Sequence, residues 1–398
     1  MKKDSLGPCA PRVALLVATG LFVSAVGVGC HLVAGLGDFG NAPPDGGGGA
    51  LPDGGASSGG GGGMGGGASG TGGQGGEDPC GDLGTDPLNC GTCGHDCLGG
   101  NCFGGQCEPL EVAVDPTMVS FALRKDGNDV TTEIFWITNG VGAGAGKVMR
   151  RNLALPTATE FASGLCNPTA IQADSTFVTW STAGCNDGDG EVVVHDVDAG
   201  IIEASFGAQT GPADVARDAT GVYWVNRTGK AVMKSQNGMA VNVVNTSYEP
   251  IALTVDGTSI YWIEATGAGT ANIWRSLKNG VNAAQVEQAQ PGASSIVSSV
   301  AGVYWTNTGG NQVIFFDGST PTLIAIGSFK PMGLTVDENH AYWAENGIGE
   351  IRRSPLGSLQ PEEVETVTTV KIPPRKVAVD TVSIFWMDDD GRIFRLAR

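Results

Sequence analysis

The residues with chemistry to offer fall in three places. Cys80, Cys90, Cys93, Cys97, Cys102 and Cys107 crowd into one short stretch, and Cys166 and Cys185 lie further on. An even, closely spaced set of cysteines in an exported chain reads as disulfides, three within the cluster. Zinc competes for the same thiols, because Cys90-x-x-Cys93 has ligand spacing and His95 is adjacent. The second place is acidic: Asn186-Asp187-Gly188-Asp189-Gly190-Glu191, with Glu264, Glu345, Asp388, Asp389 and Asp390 at equivalent points later on. Clustered oxygens suit Ca²⁺, although the spacing is not that of a helix–loop–helix calcium site. The third is histidine. Only His195 and His340 lie beyond residue 107, at unrelated points of the pattern described next, which argues against a two-histidine metal site. No serine-nucleophile motif, phosphate-cradling loop or metal-ligand triplet is present, so no catalytic residue or resident metal is assigned.

What must position these residues is a repeat. Trp136, Trp180, Trp224, Trp262, Trp305, Trp343 and Trp386 each close an apolar–apolar–Trp triplet or its near equivalent, as in Ile260-Tyr261-Trp262. Only Trp274, of 8 tryptophans, stands outside the series. A fixed period near forty residues marks blades around a common axis. Residues 250–290 show one unit: a strand Ile251–Val255, a turn at Asp256-Gly257, a strand Ser259–Ile263, a third strand Ile273–Ser276, a turn at Asn279-Gly280 and a fourth strand Ala283–Gln288. Asp-Gly and Asn-Gly turns match strand twist, and four short antiparallel strands make one blade. The expected fold is an all-β, seven-bladed β-propeller over residues 108–398.

Asp174, Asp218, Asp256, Asp337 and Asp380 each precede their tryptophan by six residues, and Ser299 takes that place in the fifth unit. Aspartate there bonds backbone amides two residues on and closes the turn. The second strands are apolar on both faces, which requires cover on both and makes the tryptophans packing between blades. The seventh unit ends at Arg398, one strand short, and Leu110–Val114 is the spare strand expected to complete it. That closure leaves no open sheet edge between the termini.

In such a ring, blade-to-blade connections share one rim with the hairpins between second and third strands. Cys166 and Cys185 both fall on that rim, so a disulfide is expected. Three hairpins there look enlarged, Asn139–Gly146, Ser181–Gly190 and Glu264–Ala271. Insertions gathered on one face often mark a binding face. Asp187, Asp189, Glu264, Glu345, Asp388 and Asp389 are its expected contact residues.

The first 29 residues carry Lys2, Lys3 and Arg12 and then an apolar run from Val13 to Val28, the pattern of a signal peptide and too short for a membrane span. Residues 30–79 are a Gly-rich flexible linker, and residues 80–107 hold the cysteine cluster. A formal charge of −18 repels phosphate backbones, so nucleic acid is not an expected partner. A monomer is expected.

Three resemblances add to this. Val28-Gly29-Cys30 resembles the bacterial lipobox, which implies lipidation of Cys30 and, with His31 following, the outer membrane. The cysteine stretch resembles a small module of plant stigma-specific proteins and of exported myxobacterial-type proteins. Tyr304-Trp305-Thr306-Asn307 resembles the YWTD repeat of lipoprotein-receptor propellers, and the repeats are also similar to NHL-type propellers and to the virginiamycin B lyases. These imply an envelope-anchored module that binds a protein, peptide or glycan, touching the membrane only through its anchor. The alternatives are a lyase or lactonase using a divalent cation, and a structural envelope component.

Overall fold

A computed structural model describes residues 80–398. The leader, Cys30 and the linker lie outside the described residues. Seven four-stranded antiparallel sheets follow one another around an axis. The first blade is built from Met118–Lys125, Thr131–Thr138, Gly146–Asn152 and Thr159–Leu165. The fourth uses Glu249–Val255, Ser259–Gly267, Thr270–Leu277 and Ala284–Pro291. The seventh has Pro374–Val379, Ser383–Asp388 and Arg392–Ala397 from one end of the chain, and Leu110–Val114 from the other. Leu110 pairs with Arg395 and Val114 with Arg392, so the amino-terminal strand closes the ring.

The blades adhere because both faces of each second strand are apolar. Trp180 packs with Phe135, Ile137 and Val148 of the preceding blade, and Trp305 with Ile263 and Ile273 of its own predecessor. Trp224, Trp305 and Trp343 are all 0% exposed. Across the closure, Val112, Phe385 and Ile393 pack against Phe121, Ile134 and Trp136. Trp274, outside the periodic set, sits opposite Trp262 in the fourth blade, with ring centroids 6.3 Å apart.

Side chains on the inner strands tie blade to blade. Arg217 N–H donates to Gln172 Oε1 at 3.0 Å, Leu253 N–H to Asp214 Oδ2 at 3.0 Å, Ser298 N–H to Thr254 Oγ1 at 3.1 Å and Leu334 N–H to Ser295 Oγ at 3.1 Å. Each bond satisfies an edge amide that no fifth strand reaches. The periodic aspartates close turns. Asp256 Oδ1 accepts from Thr258 and Ser259 N–H at 2.7 Å each, and Asp337 Oδ1 from Asn339 and His340 N–H at 2.7 Å each. Ser299 does the same through Ala301 N–H at 3.1 Å.

One expected loop is not a loop. The fourth blade's hairpin, read as enlarged over Glu264–Ala271, is a continued ribbon whose strands run to Gly267 and resume at Thr270. Ala268 and Gly269, at φ 54° and 76°, make the tight turn.

Before the propeller, Cys80–Cys93, Cys90–Cys102 and Cys97–Cys107 are disulfides with Cα–Cα distances of 5.2, 5.6 and 5.2 Å. Cys90, Cys97 and Cys102 form the buried centre of this unit. So small a core needs such staples, each worth roughly 3 kcal/mol for loops of this length. The zinc alternative is overturned here, because the close-set Sγ atoms of Cys90, Cys97 and Cys107 are all spent in disulfides.

The closing strand makes a sharp prediction. Val112 is 1% exposed and Val114 is 59% exposed. Val112→Asp buries a charge in the closure and should lower stability by about 3 kcal/mol or more, whereas Val114→Asp should stay within about 0.5 kcal/mol. Urea denaturation of the two variants checks this, and equal losses would rule out closure by this strand.

Candidate functional site

The first blade-to-blade connection and the second blade's hairpin meet on the expected rim. Cys166 and Cys185 are disulfide-bonded there, Cα–Cα 5.0 Å. In the hairpin they anchor, Asn186 Nδ2 donates to Asp189 Oδ2 at 2.6 Å, and Asp187 Oδ1 accepts from Thr228 Oγ1 at 3.4 Å. Glu191 Oε1 accepts from Ser205 Oγ at 2.5 Å. Among the described residues these carboxylates do not converge into a ligand set for a cation. Asp187, Asp189 and Asp389 are exposed. The first two lie on blade two and the third on blade seven, so they do not form one patch.

Three expected rim residues are not on the surface. Glu264, Glu345 and Asp388 are 2%, 0% and 0% exposed. Each lies two residues beyond a repeated tryptophan on the same strand, so its side chain shares the covered face with the indole. Glu264 Oε1 accepts from Trp262 Nε1 at 2.8 Å and Glu345 Oε1 from Trp343 Nε1 at 2.6 Å. Their second oxygens take the backbone N–H of Tyr248 and of Phe329. Burial pushes the Glu264 carboxyl upward, against the indole and amide hydrogen bonds that pull it down. Where asparagine occupies the position, a glutamine from the preceding blade's outer strand takes over. Gln209 Oε1 accepts from Trp224 Nε1 and Asn226 Nδ2, both at 3.0 Å, and Gln290 Oε1 from Trp305 Nε1 at 3.1 Å and Asn307 Nδ2 at 2.7 Å. A carboxylate or amide at this step supplies the acceptor that a buried indole N–H needs.

The histidines stay apart. His195 is wedged against Phe161, ring centroids 4.6 Å apart, and stacked on Trp180 at 6.3 Å. His340 opens the second strand of blade six, beside Tyr342 at 5.9 Å. Neither borders the axial channel.

That channel is the principal concavity, about 750 Å³, lined by inner strands of all seven blades. Lys125, Arg217, Arg375 and Lys376 face it against one carboxylate, Asp214. Lys125 pairs with Asp129 at 3.0 Å and Arg217 with Asp174 at 2.8 Å. The other two bond neutral oxygens, Arg375 Nη2 to Met118 O at 2.6 Å and Lys376 Nζ to Ser120 Oγ at 2.7 Å. Burial raises the Asp214 carboxyl to about 6, against the Leu253 N–H, the Lys376 charge and the Val215 N–H. Burial lowers the Lys376 ammonium to about 8, with Asp214 opposing.

No protein-family model matches the chain, and no curated protein matches it. Among solved structures, it resembles virginiamycin B lyase from Staphylococcus aureus, at 14% identity and a TM-score of 0.56, over 73% of this chain and 98% of that one. A catalytically inactive histidine-to-alanine form of that lyase, with quinupristin, matches at 14% identity and 0.57, with the same coverage. Hydrazine synthase from Kuenenia stuttgartiensis matches at 14% identity and 0.54, over 73% and 97%. At such identities the likeness is one of fold, and the seven-bladed propeller is the class it supports.

The charge pair gives a pH prediction. A carboxyl raised in the fold to about 6 supplies stability that is complete below its ordinary range and is lost as pH climbs through about 6. An ammonium lowered to about 8 withholds stability below that pH and returns it as pH rises toward its ordinary range. Lys376→Met removes the favourable charge and should move Asp214's carbon-13-detected titration further upward. An unchanged or lower midpoint would show that the two groups do not act on each other.

Proposed function

We propose that this protein is an exported binding module, anchored at the cell envelope through lipidated Cys30 and carried beyond the membrane by the Gly-rich linker. Its ligand is the acidic part of a protein, peptide or glycan, received at the channel mouth on the rim that bears the 139–145 and 183–189 loops. The carrying observation is the charge along the axis: Arg375 and Lys376, which among the described residues make no salt bridge to a carboxylate, stand with Asp214 in the channel of a chain of formal charge −18. Arg375 and Lys376 stand at the start of their inner strand, the end nearer the blade-to-blade connections, and their hydrogen bonds go to uncharged atoms, Met118 O, Met387 Sδ and Ser120 Oγ. A narrow, low-dielectric passage concentrates that potential against the repulsion of the surface.

The second reading, a lyase-type enzyme with a divalent cation, draws on the fold shared with the Staphylococcus aureus lyase. It has less support in the channel, where a cation would meet Asp214 alone and four like charges.

Oligogalacturonate fragments and glutamate-rich peptides are suitable probes, with neutral oligosaccharides and Ser/Gly peptides as controls. Acidic probes should bind selectively and lose affinity as salt rises. The double variant Arg375→Gln, Lys376→Met should weaken them about tenfold or more. Binding indifferent to probe charge, or unaltered in that variant, would overturn this reading. For the anchor, Cys30→Ala should abolish metabolic labelling of the protein by palmitate, and persistent labelling would exclude Cys30 as its site.

A further inference from the structure

Asp214 and Lys376 hold the same place in two different blades. Val215 and Val377 sit opposite Trp224 and Trp386, and each charged residue immediately precedes its valine. In both inner strands the ladder bulges just before that residue, and a bulge re-aims the side chain that follows it. Ser120, Ala170, Ala252 and Ser295 stand at the same step of blades one, two, four and five. That level of the channel is therefore clear of bulk there, with one carboxylate and one ammonium in it. Both charged residues line the channel and are partly exposed. In blade six, Gly333 lies against the strand of Lys376, where a Cβ would fall 2.5 Å from Lys376 Cα, so the backbone carrying the ammonium is closely held.

The structural bonds of the pair do not call for its charges. Asp214 Oδ2 accepts from Leu253 N–H of the next blade, and Ser295 makes the equivalent bond to Leu334 N–H with a hydroxyl. Asp214 Oδ1 accepts from Val215 N–H at 2.9 Å, which leaves lone pairs on both oxygens. Lys376 gives one N–H to Ser120 Oγ and has others to give. Each charge is felt by the other group, yet among the described residues no ion pair joins them. An opposed pair that does not close on itself leaves room for a ligand carrying both complementary charges. The other charged side chains of the channel are Arg375, next to Lys376, and Lys125 and Arg217, which are paired with Asp129 and Asp174.

We propose that the channel holds an acidic α-amino acid, free or as the amino-terminal residue of a peptide. Its α-ammonium donates to Asp214, and its side-chain carboxylate accepts from Lys376 with the Arg375 charge alongside. This rests on the channel as the seat of acidic-ligand recognition and names the chemistry that recognition selects. A bare ammonium meets the like charges of Lys376 and Arg375, and a bare dianion meets Asp214. A group bearing both signs finds a partner for each.

The test uses the full chain and calorimetry. Glutamate is compared with glutarate, the dicarboxylate that lacks the ammonium, and a Glu-Gly-Gly peptide with its N-acetyl form. The free ammonium should tighten binding at least about tenfold. A preference within the first pair alone assigns the site to the free amino acid, and within the second pair as well to peptide ends. Saturating glutamate should bring the carbon-13-detected titration of Asp214 below about 6, because a neighbouring cation favours the carboxylate, and glutarate should not. Asp214→Asn should erase the preference for the ammonium while glutarate still binds, and Lys376→Met should weaken every acidic probe. The proposal is overturned if acidic probes bind without regard to the ammonium, if a folded Asp214→Asn protein keeps the preference, or if glutamate leaves the wild-type Asp214 midpoint where it was. That last measurement decides the matter should the variant not fold. Failure of every acidic probe, oligogalacturonate included, would overturn the channel reading and this proposal with it.

Discussion

A strand that is apolar on both sides has to be covered on both sides, and this single demand shapes the propeller. Phe135, Tyr223, Tyr304 and Tyr342 point one way from their strands and the neighbouring tryptophans the other, and all four are 0% exposed. No single sheet can cover both of its own faces. A stack of sheets covers all but the two outermost, and bending the stack into a ring removes even those. Closure then requires that the last sheet be as complete as the others, which is why Leu110–Val114 crosses from the far end of the chain to pair with Arg392–Ala397.

The same packing creates a polar problem. Tryptophan fills a wedge well, but its N–H is buried with it and needs an acceptor. The blades solve this in different ways: a glutamate on the same strand in two, a glutamine from the neighbouring blade in two others. The indole N–H groups of Trp136 and Trp180 have no protein partner, and Thr138 and Thr182 stand where the acids stand elsewhere. Variation at this step is therefore a difference in how one hydrogen bond is met. Asp388 turns instead to its own hairpin, accepting from Asp390 N–H and Arg392 N–H.

This explains what could and could not be seen in the sequence. The repeat, the turn aspartates and the closing strand are local or periodic, so the spacing of Trp136 to Trp386 and the run Leu110–Val114 were enough to read them. The three pairings within residues 80–107 were not legible, because spacing does not distinguish them. Glu264, Glu345 and Asp388 were expected as exposed rim contacts because each stands where a second strand was expected to end and a hairpin to begin. Two-residue periodicity places them on the indole's face, and that face is covered at all three positions. Asp214 and Lys376 are brought into one channel by the ring alone. They stand 162 residues apart, and nothing local marks them as neighbours.

Charge acts differently on the axis and on the surface. An excess of exposed acid acts through water and salt and decays within about 10 Å at moderate ionic strength. Arg375 and Lys376 act through a passage walled by seven strands, where screening is weaker and each charge reaches further. The downward shift of Lys376 reflects the same low-dielectric surroundings. An acidic group entering the mouth would restore the solvation this ammonium lost and hold it in its charged form. Binding and protonation at Lys376 are thus linked, and an acidic ligand should bind more weakly as pH rises past about 8. A ligand recognised only by the exposed loops would show no such dependence, so that pH profile separates the channel from the rim as the seat of recognition.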